Sequence, residues 1–321
     1  MVVGAGFDPR AAVAYEVISA AALIPVDVLR CELPMPTQPQ TQTLADANRT
    51  RIDEAAAGCN ATIREHDPGE ADTGMSLARS IFGLELFERY DEVIVDVSAM
   101  PRGVYFPVIR GLLELFDSGQ WQGQLHVVAC DNPAVDELVT GEGVETPRAL
   151  PGFADLDAEE ARTTIWVPVL GGGEAARLDV LDEDIRAGEI CPVLPFPAAN
   201  PRRADNLIKE YRPLLIETGR VETRNFIYAH ESNPFDLYST VSELNAGYAE
   251  TLQPLGKTRM VLSAHSSKLL SVGVLLTAFE HGLEVRHASP SIYGVSDLAA
   301  LEGSEEHDLV VDLWLTGEPY E

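Results

Sequence analysis

Short apolar runs alternate with amphipathic ones along most of this chain, the rhythm of strands and helices taken in turn. "MVVGAGF" (1–7) predicts a strand, and the helix after it buries Ala12, Val13, Tyr15, Val17 and Ile18. "IPVDVLRCEL" predicts a second strand and "ATIREHD" a weak third. Between them "PMPTQPQTQTLADANRT" (34–50) is polar and rich in Pro and Gln, which predicts an exposed loop. "MSLARSIFGLELFERY" predicts an amphipathic helix. "DEVIVDVSAM" is apolar without alternation, as a central parallel strand is, and "RGVYFPVIRGLLELF" is its helix, with Pro107 early enough to be tolerated. "QLHVVACDNP" closes this half as a strand running into turn residues.

From 136 to 205 the rhythm breaks. "TTIWVPVLGGGE" predicts a strand with a Gly-rich exit, but "CPVLPFPAANPRRADN" is too proline-dense for a helix or a central strand. The segment therefore reads as a connecting insertion. The rhythm then resumes: "RNFIYAHESNP" and "TRMVLSAHSSK" each predict a strand and turn. "FDLYSTVSELNAGYAETLQPLG" predicts a helix ended by Pro254 and Gly256, and "LLSVGVLLTAFEHG" an apolar helix stopped by Gly282. "LEVRHASPSIYG" and "DLVVDLWLTGE" add two strands. The expectation is an α/β protein with a Rossmann-like, mainly parallel sheet: two βα-repeating halves, 1–135 and 206–321, joined by the Pro-rich insertion 136–205.

Two junctions in this pattern echo each other. "VIVDVSAMPRGVYFPVIRGLLELF" (93–116) and "RMVLSAHSSKLLSVGVLLTAFEHG" (259–282) both run from an apolar strand through Ser-Ala and a short polar linker. Each then has one cation, Arg102 or Lys268, and a strongly apolar helix. "VVGAGFDPR" and "FIYAHESNPFD" pair more loosely, both ending in a polar turn with Pro and Asp. The carboxyl ends of parallel strands carry the N-termini of the following helices, with unpaired N–H groups and a partial positive charge. A serine hydroxyl and a cation placed there add donors for a phosphate or carboxylate, and two such junctions could face a common crevice.

The candidate residues follow, each with a plainer structural alternative. In the first loop Ser98 and Arg102 are ligand contacts, or else Ser98 caps the helix that Pro101 starts. Asp96, two residues before Ser98 on the same strand face, is paired with an arginine such as Arg102 or Arg10, or is functional. In the second loop Ser263, His265, Ser266, Ser267 and Lys268 crowd one turn between apolar elements; a solvated helix start explains the serines but not His265 with Lys268. In "GFDPR" Asp8 and Arg10 contact ligand or only start a helix, and Asn233 in "HESNPFD" repeats that logic. "GAGFDP" is not a dinucleotide fingerprint, "GGG" (171–173) lacks the Lys-Ser/Thr of a P-loop, and no GxSxG, HExxH or kinase set occurs.

Charge narrows the partners. The 321 residues carry a formal net charge of −28, which disfavours bulk binding to nucleic acid or anionic membrane. A small anion remains compatible, because a few cations at helix N-termini can dominate a local field. Lysine is confined to 209, 257 and 268, and arginine supplies the other positive charges. Cys31, Cys59, Cys130 and Cys191 are too scattered for a zinc site or a disulfide framework, so no metal or cofactor is expected. The opening residues lack the basic start of a signal peptide and no apolar stretch is long enough to span a bilayer, which predicts a cytoplasmic protein with no membrane partner.

"VLSAHSSKLLSVGVLL" resembles the strand–Ser/Thr-rich turn–Lys–helix element of CRISPR-associated Rossmann-fold (CARF) sensor domains, and "VDVSAMPRGVYFPVI" resembles a divergent version of it. A two-lobed chain is similar to the fused-CARF (SAVED) arrangement of prokaryotic defence systems. The resemblance implies a Rossmann-like protein that dimerises and binds cyclic oligonucleotides or related nucleotide signals at strand ends, sometimes cleaving them. Three functions stay open on the residues themselves. One is a sensor of a nucleotide or other small phosphorylated anion, acting through a protein effector or a second copy. Another is an enzyme on such a substrate, with Lys268 as electrophile, His265 as general acid and Asp96 or Asp8 as base. The third is a structural subunit.

Overall fold

The computed structural model describes residues 1–32, 37–66, 89–155, 163–302 and 308–317. The chain forms two compact units, one made of Met1–Gly143 with Ser291–Glu321, the other of Val144–Pro290. In chain order the first unit contributes β1 (Val2–Gly4), α1 (Val13–Ala21), β2 (Val28–Cys31), α2 (Gln42–Cys59) and β3 (Ile63–His66). It continues with β4 (Glu92–Asp96), α3 (Arg102–Asp117), β5 (Gln124–Asp131), α4 (Pro133–Leu138) and β6 (Val139–Glu142). The second unit opens with β7 (Arg148–Ala149), β8 (Thr163–Val169), α5 (Ala175–Ile185), β9 (Glu189–Ile190) and β10 (Val193–Pro195). After these come α6 (Arg203–Glu210), β11 (Ile227–Ala229), α7 (Pro234–Leu252), β12 (Thr258–Ala264), α8 (Lys268–His281) and β13 (Glu284–His287). The chain then re-enters the first unit as β14 (Ile292–Val295), α9 (Leu298–Glu302) and β15 (Leu309–Thr316).

Both units carry a Rossmann-like, mainly parallel sheet, in agreement with the fold expected. The first has the order β15-β5-β4-β1-β2-β3, and only β15 runs antiparallel, against β5. The second has the order β11-β10-β8-β12-β13-β7, with β7 antiparallel to β13. β9 and β10 run along the same side of β8 in one register, Ile165 opposite Glu189 and Val169 opposite Val193, so they are one interrupted strand. Counted by connection, each sheet reads third–second–first–fourth–fifth, with an antiparallel strand added beyond the fifth. The two Ser-Ala junctions thus occupy the same place, the exit of the fourth strand. The looser pairing of "VVGAGFDPR" with "FIYAHESNPFD" fails, because β1 is a first strand and β11 a third. The counterpart of β1 is β8, with its Gly-rich exit.

Three expectations need correction. Residues 136–205 are not a connector: β8 and β10 from that segment lie inside the second sheet. Its prolines are tolerated because β10 has only three residues, and Pro192 enters the ladder as an acceptor, its carbonyl receiving the Ile227 N–H at 3.0 Å. Nor does 206–321 form one half, since β14 and β15 return to pair with β6 and β5. Finally, 42–50 is not loop but the start of an 18-residue helix, α2. Its buried stripe is only Asn48, Ile52 and Ala56, spaced four apart, and alanine-rich composition supports the helix without a strong apolar signal. The helix expected over 75–90 falls almost entirely outside the described residues.

β4 is buried from Val93 to Asp96, as its unbroken apolar run requires. In the first unit Val3, Ala12, Tyr15, Val28, Ile52 and Ala56 form a cluster that seats α1 and α2 on β1 and β2. In the second, Trp166, Leu178, Leu194, Leu207, Leu215 and Val261 centre the core on β8. All four cysteines are free; Cys31, Cys130 and Cys191 are buried, and burial pushes the Cys31 thiol up to about 12. Among the described residues no helix is long and apolar enough to cross a membrane.

Candidate functional site

In an open parallel sheet, ligands collect at the carboxyl ends of the first and fourth strands, where the strand order reverses and the helices on either side diverge. Here those positions are the exits of β1 and β4 in one unit and of β8 and β12 in the other. The sequence candidates cluster at these exits, but the two units use them differently.

At the β1 exit, Asp8 and Arg10 are engaged with each other. Arg10 donates through Nε to Asp8 Oδ1 at 2.9 Å and through Nη2 to Asp8 Oδ2 at 2.8 Å, while its Nη1 reaches Asp136 Oδ1 at 2.7 Å. Only 3% of Arg10 is exposed. Burial works against its charge, but the Asp8 and Asp136 carboxylates outweigh it and hold the guanidinium well above its ordinary pKa. Asn48, which sequence reasoning missed inside a supposed loop, donates its amide to the Gly6 and Asp8 carbonyls at 2.9 and 2.7 Å. α2 thereby pins the turn. At the β4 exit, the buried Ser98 hydroxyl donates to Asp96 Oδ1 and accepts from the Cys130 N–H at 2.8 Å, and the Ser98 N–H donates to Asp96 Oδ1 at 2.9 Å. Ser98 therefore ties β4 to β5 and does not cap α3, whose N-cap is Pro101. Arg102 opens α3 and is half-buried.

In the second unit the β8 and β12 exits press together. A methyl group on Gly171 would overlap the His265 carbonyl and lie 2.8 Å from Ser266 Cα, so only glycine allows this approach. A polar chain runs beneath the contact. Trp166 Nε1 donates to Ser263 Oγ at 2.8 Å, Ser263 Oγ lies 2.9 Å from His265 Nε2, and His265 Nδ1 faces Glu174 Oε2 at 3.5 Å. Arg177 Nη1 pairs with the other Glu174 oxygen at 2.7 Å. The Glu174 carboxylate places the imidazole proton on Nδ1, leaving Nε2 to accept from the Ser263 hydroxyl. Ser, His and Glu in this order have the connectivity of a nucleophilic triad, but Ser263 is 0% exposed inside β12 and already accepts from Trp166. Both ring nitrogens of His265 face protein groups, and His265 is 5% exposed.

Tyr211 braces the Gly-rich loop from α6's end: its hydroxyl donates to the Gly171 carbonyl and accepts the Glu174 N–H at 3.1 Å. Burial pushes this phenol's pKa upward. The Gly173 N–H donates to Glu210 Oε1 at 2.6 Å. Ser267 caps α8 by accepting the Leu270 N–H at 3.3 Å; Ser266 and Lys268 flank it, both half-buried. Asn233 stands apart at the β11 exit, where its side chain caps α7 by accepting the Phe235 and Asp236 N–H groups at 3.1 and 3.3 Å.

The structure thus gathers Ser263, His265, Ser266, Ser267 and Lys268 at one exit, and Asp8 with Arg10 at another. Glu174, Trp166 and Tyr211 are additions that the residues alone did not suggest; the signal available was Glu174 directly after the glycine run. Among the described residues no group of three or more His, Cys, Asp or Glu side chains is placed to hold a metal ion. No protein-family model matches the chain, and no curated protein matches it in sequence.

Proposed function

We propose that the protein is a ligand sensor that binds a nucleotide or other small phosphorylated anion at the carboxyl edge of the second sheet. Lys268, Ser266 and Ser267 make the anion contact there, and the response passes to a protein effector or a second copy. The observation that carries this reading is the position of Lys268, a rare lysine opening a 14-residue helix at the fourth-strand exit, beside the Gly171–His265 contact. Cation, serine hydroxyls and helix N-terminus there all favour a bound anion. In the first unit Arg10 is committed to two carboxylates and the buried Ser98 hydroxyl to Asp96 and the Cys130 N–H, so the weaker counterpart there is Arg102 at the start of α3. The resemblance to CARF sensors supports the same ligand class. Sensing is favoured over catalysis because both His265 nitrogens are turned into the protein.

A thermal-shift screen of nucleotides and inorganic phosphate tests this. A ligand at a hundred times its Kd stabilises the fold by about 2.7 kcal/mol, and Lys268→Ala is expected to abolish the shift. A full shift in Lys268→Ala overturns the site. Conversion of the bound nucleotide during long incubation would overturn the sensor reading in favour of an enzyme.

A further inference from the structure

We propose that Phe196 and Tyr228 form a stacking platform for a base, so that the ligand of the second unit is a nucleotide and not a base-free phosphate. This rests on the reading of that edge as an anion site and specifies its ligand. Phe196 follows β10 directly, and Tyr228 is the middle residue of β11. Their rings meet edge to face, centroids 6.1 Å apart, with 54% of Phe196 and 49% of Tyr228 exposed. The two rings stand 75° to each other and are each about half in water, so a planar base stacked on the face of one meets the other edge-on and covers apolar area that is now solvated.

A continuous run of contacts joins the platform to the Gly-rich loop. The Pro197 carbonyl accepts the Glu231 N–H at 3.0 Å, and Glu231 Oε2 accepts the Ala199 N–H at 2.9 Å. Arg203 Nε lies 3.9 Å from the other Glu231 oxygen, and a methyl group on Gly172 would sit 3.7 Å from Arg203 Nη2. Arg203 is therefore a partly exposed cation between the rings and the loop, loosely held by one carboxylate. A nucleotide with its base on these rings directs its phosphate past Arg203 to Gly172, next to the Gly171 contact with His265 and Ser266 that adjoins Lys268. Arg203 supplies the positive charge at that end, beside the Glu210 and Glu231 carboxylates, and the exposed rings supply the apolar surface at the other.

The test is a binding titration of the full chain with the four nucleoside 5′-monophosphates and with ribose 5-phosphate, which has the sugar and phosphate but no base. At least one nucleotide is expected to bind about tenfold or more tightly than ribose 5-phosphate, the margin one stacked base provides. Phe196→Ala and Tyr228→Ala should each erode that preference, Tyr228→Phe should keep it, and the affinity for ribose 5-phosphate should stay within about twofold. Arg203→Gln should weaken both kinds of ligand alike. Both rings are surface groups, and unchanged melting temperatures verify that the variants are folded. Equal binding of ribose 5-phosphate and every nucleotide, or a preference that survives loss of both rings, overturns the platform. The anion site fails separately, if Lys268→Ala binds ribose 5-phosphate as wild type does. If neither probe class binds the wild type, both are overturned.

Discussion

Gly171 is restricted to glycine by what lies across the sheet from it, not by its own backbone angles. A Cβ there would run into the His265 carbonyl, which is backbone and is itself fixed by the His265 N–H donating to the Val169 carbonyl at 2.9 Å. Its neighbour Gly172 meets nothing closer than 3.7 Å, ordinary van der Waals contact. The two glycines therefore differ sharply in tolerance. Gly171→Ala is expected to cost about 1–3 kcal/mol as an overpacking strain, while Gly172→Ala stays within about 0.5 kcal/mol of wild type. Urea midpoints of the two variants check this, and equal losses would mean that the exits are not pressed together. The same contact explains why Ser263 and His265 are better read as a brace than as reacting groups. Each is buried, each has its hydrogen-bonding atoms satisfied inside the protein, and together they set the backbone from which Ser266 and Lys268 project.

The C-terminal strand β15 shows what local pattern can and cannot reveal. Its existence was legible in "DLVVDLWLTGE", because a short apolar run with β-branched residues, bounded by turn residues, favours a strand. Its partner was not: pairing with β5 joins Leu309 to Asp131, far apart in sequence, and nothing in either segment encodes direction. The same holds for β8, whose place inside a sheet is set by β10 and β12 and not by its own residues. α2 was lost for the opposite reason, since its glutamines and arginines hid a stripe of one isoleucine and one alanine around Asn48. At the candidate site the cation and serines of the second loop could be read directly, whereas Glu174, Tyr211 and Arg203 reach it only through the fold. β15 also carries a pH dependence. His126 on β5 donates from Nδ1 to Asp312 Oδ1 on β15 at 3.0 Å and stacks on Trp314, ring centroids 5.1 Å apart. The hydrogen bond to Asp312 raises the His126 pKa above its ordinary value. Stability from a raised pKa is fully present below the unfolded value near 6.5 and is lost as pH rises through the folded one. Asp312 is mostly in water, which limits the gain to under about 1 kcal/mol. Wild type should therefore exceed His126→Gln in urea midpoint by more at pH 5.5 than at pH 8.5. The variant comparison cancels the general benefit of acid to so acidic a chain. A gap of the same size at both pH values would show that protonation of His126 adds nothing to stability.

At the scale of the whole molecule, the second unit is inserted into a hairpin of the first. β6 and β14 pair antiparallel, with Glu142 opposite Ile292, and the Ser291 N–H donates to the Glu142 carbonyl at 3.0 Å. Gly143 and Ser291 are then the two residues at the tip, and Gly143 has φ +69°, the left-handed region that two-residue hairpin turns require at their first position. The other unit's ends are equally close, its Glu145 N–H donating to the Ser289 carbonyl at 2.8 Å. Each unit also has its own sheet and its own hydrophobic cluster. Joining Gly143 directly to Ser291 replaces a 147-residue excursion, 144–290, with a Gly-Ser turn that the strands already present. Loop-closure entropy favours this change, since a tight turn costs less to close than a long insertion. The shortened chain is expected to fold with a single cooperative urea transition and an ordered near-ultraviolet spectrum, and 144–290 expressed alone to do the same. If either piece lacks a cooperative transition, the units are not independent, and the repeated strand order would describe one folding unit divided between two sheets.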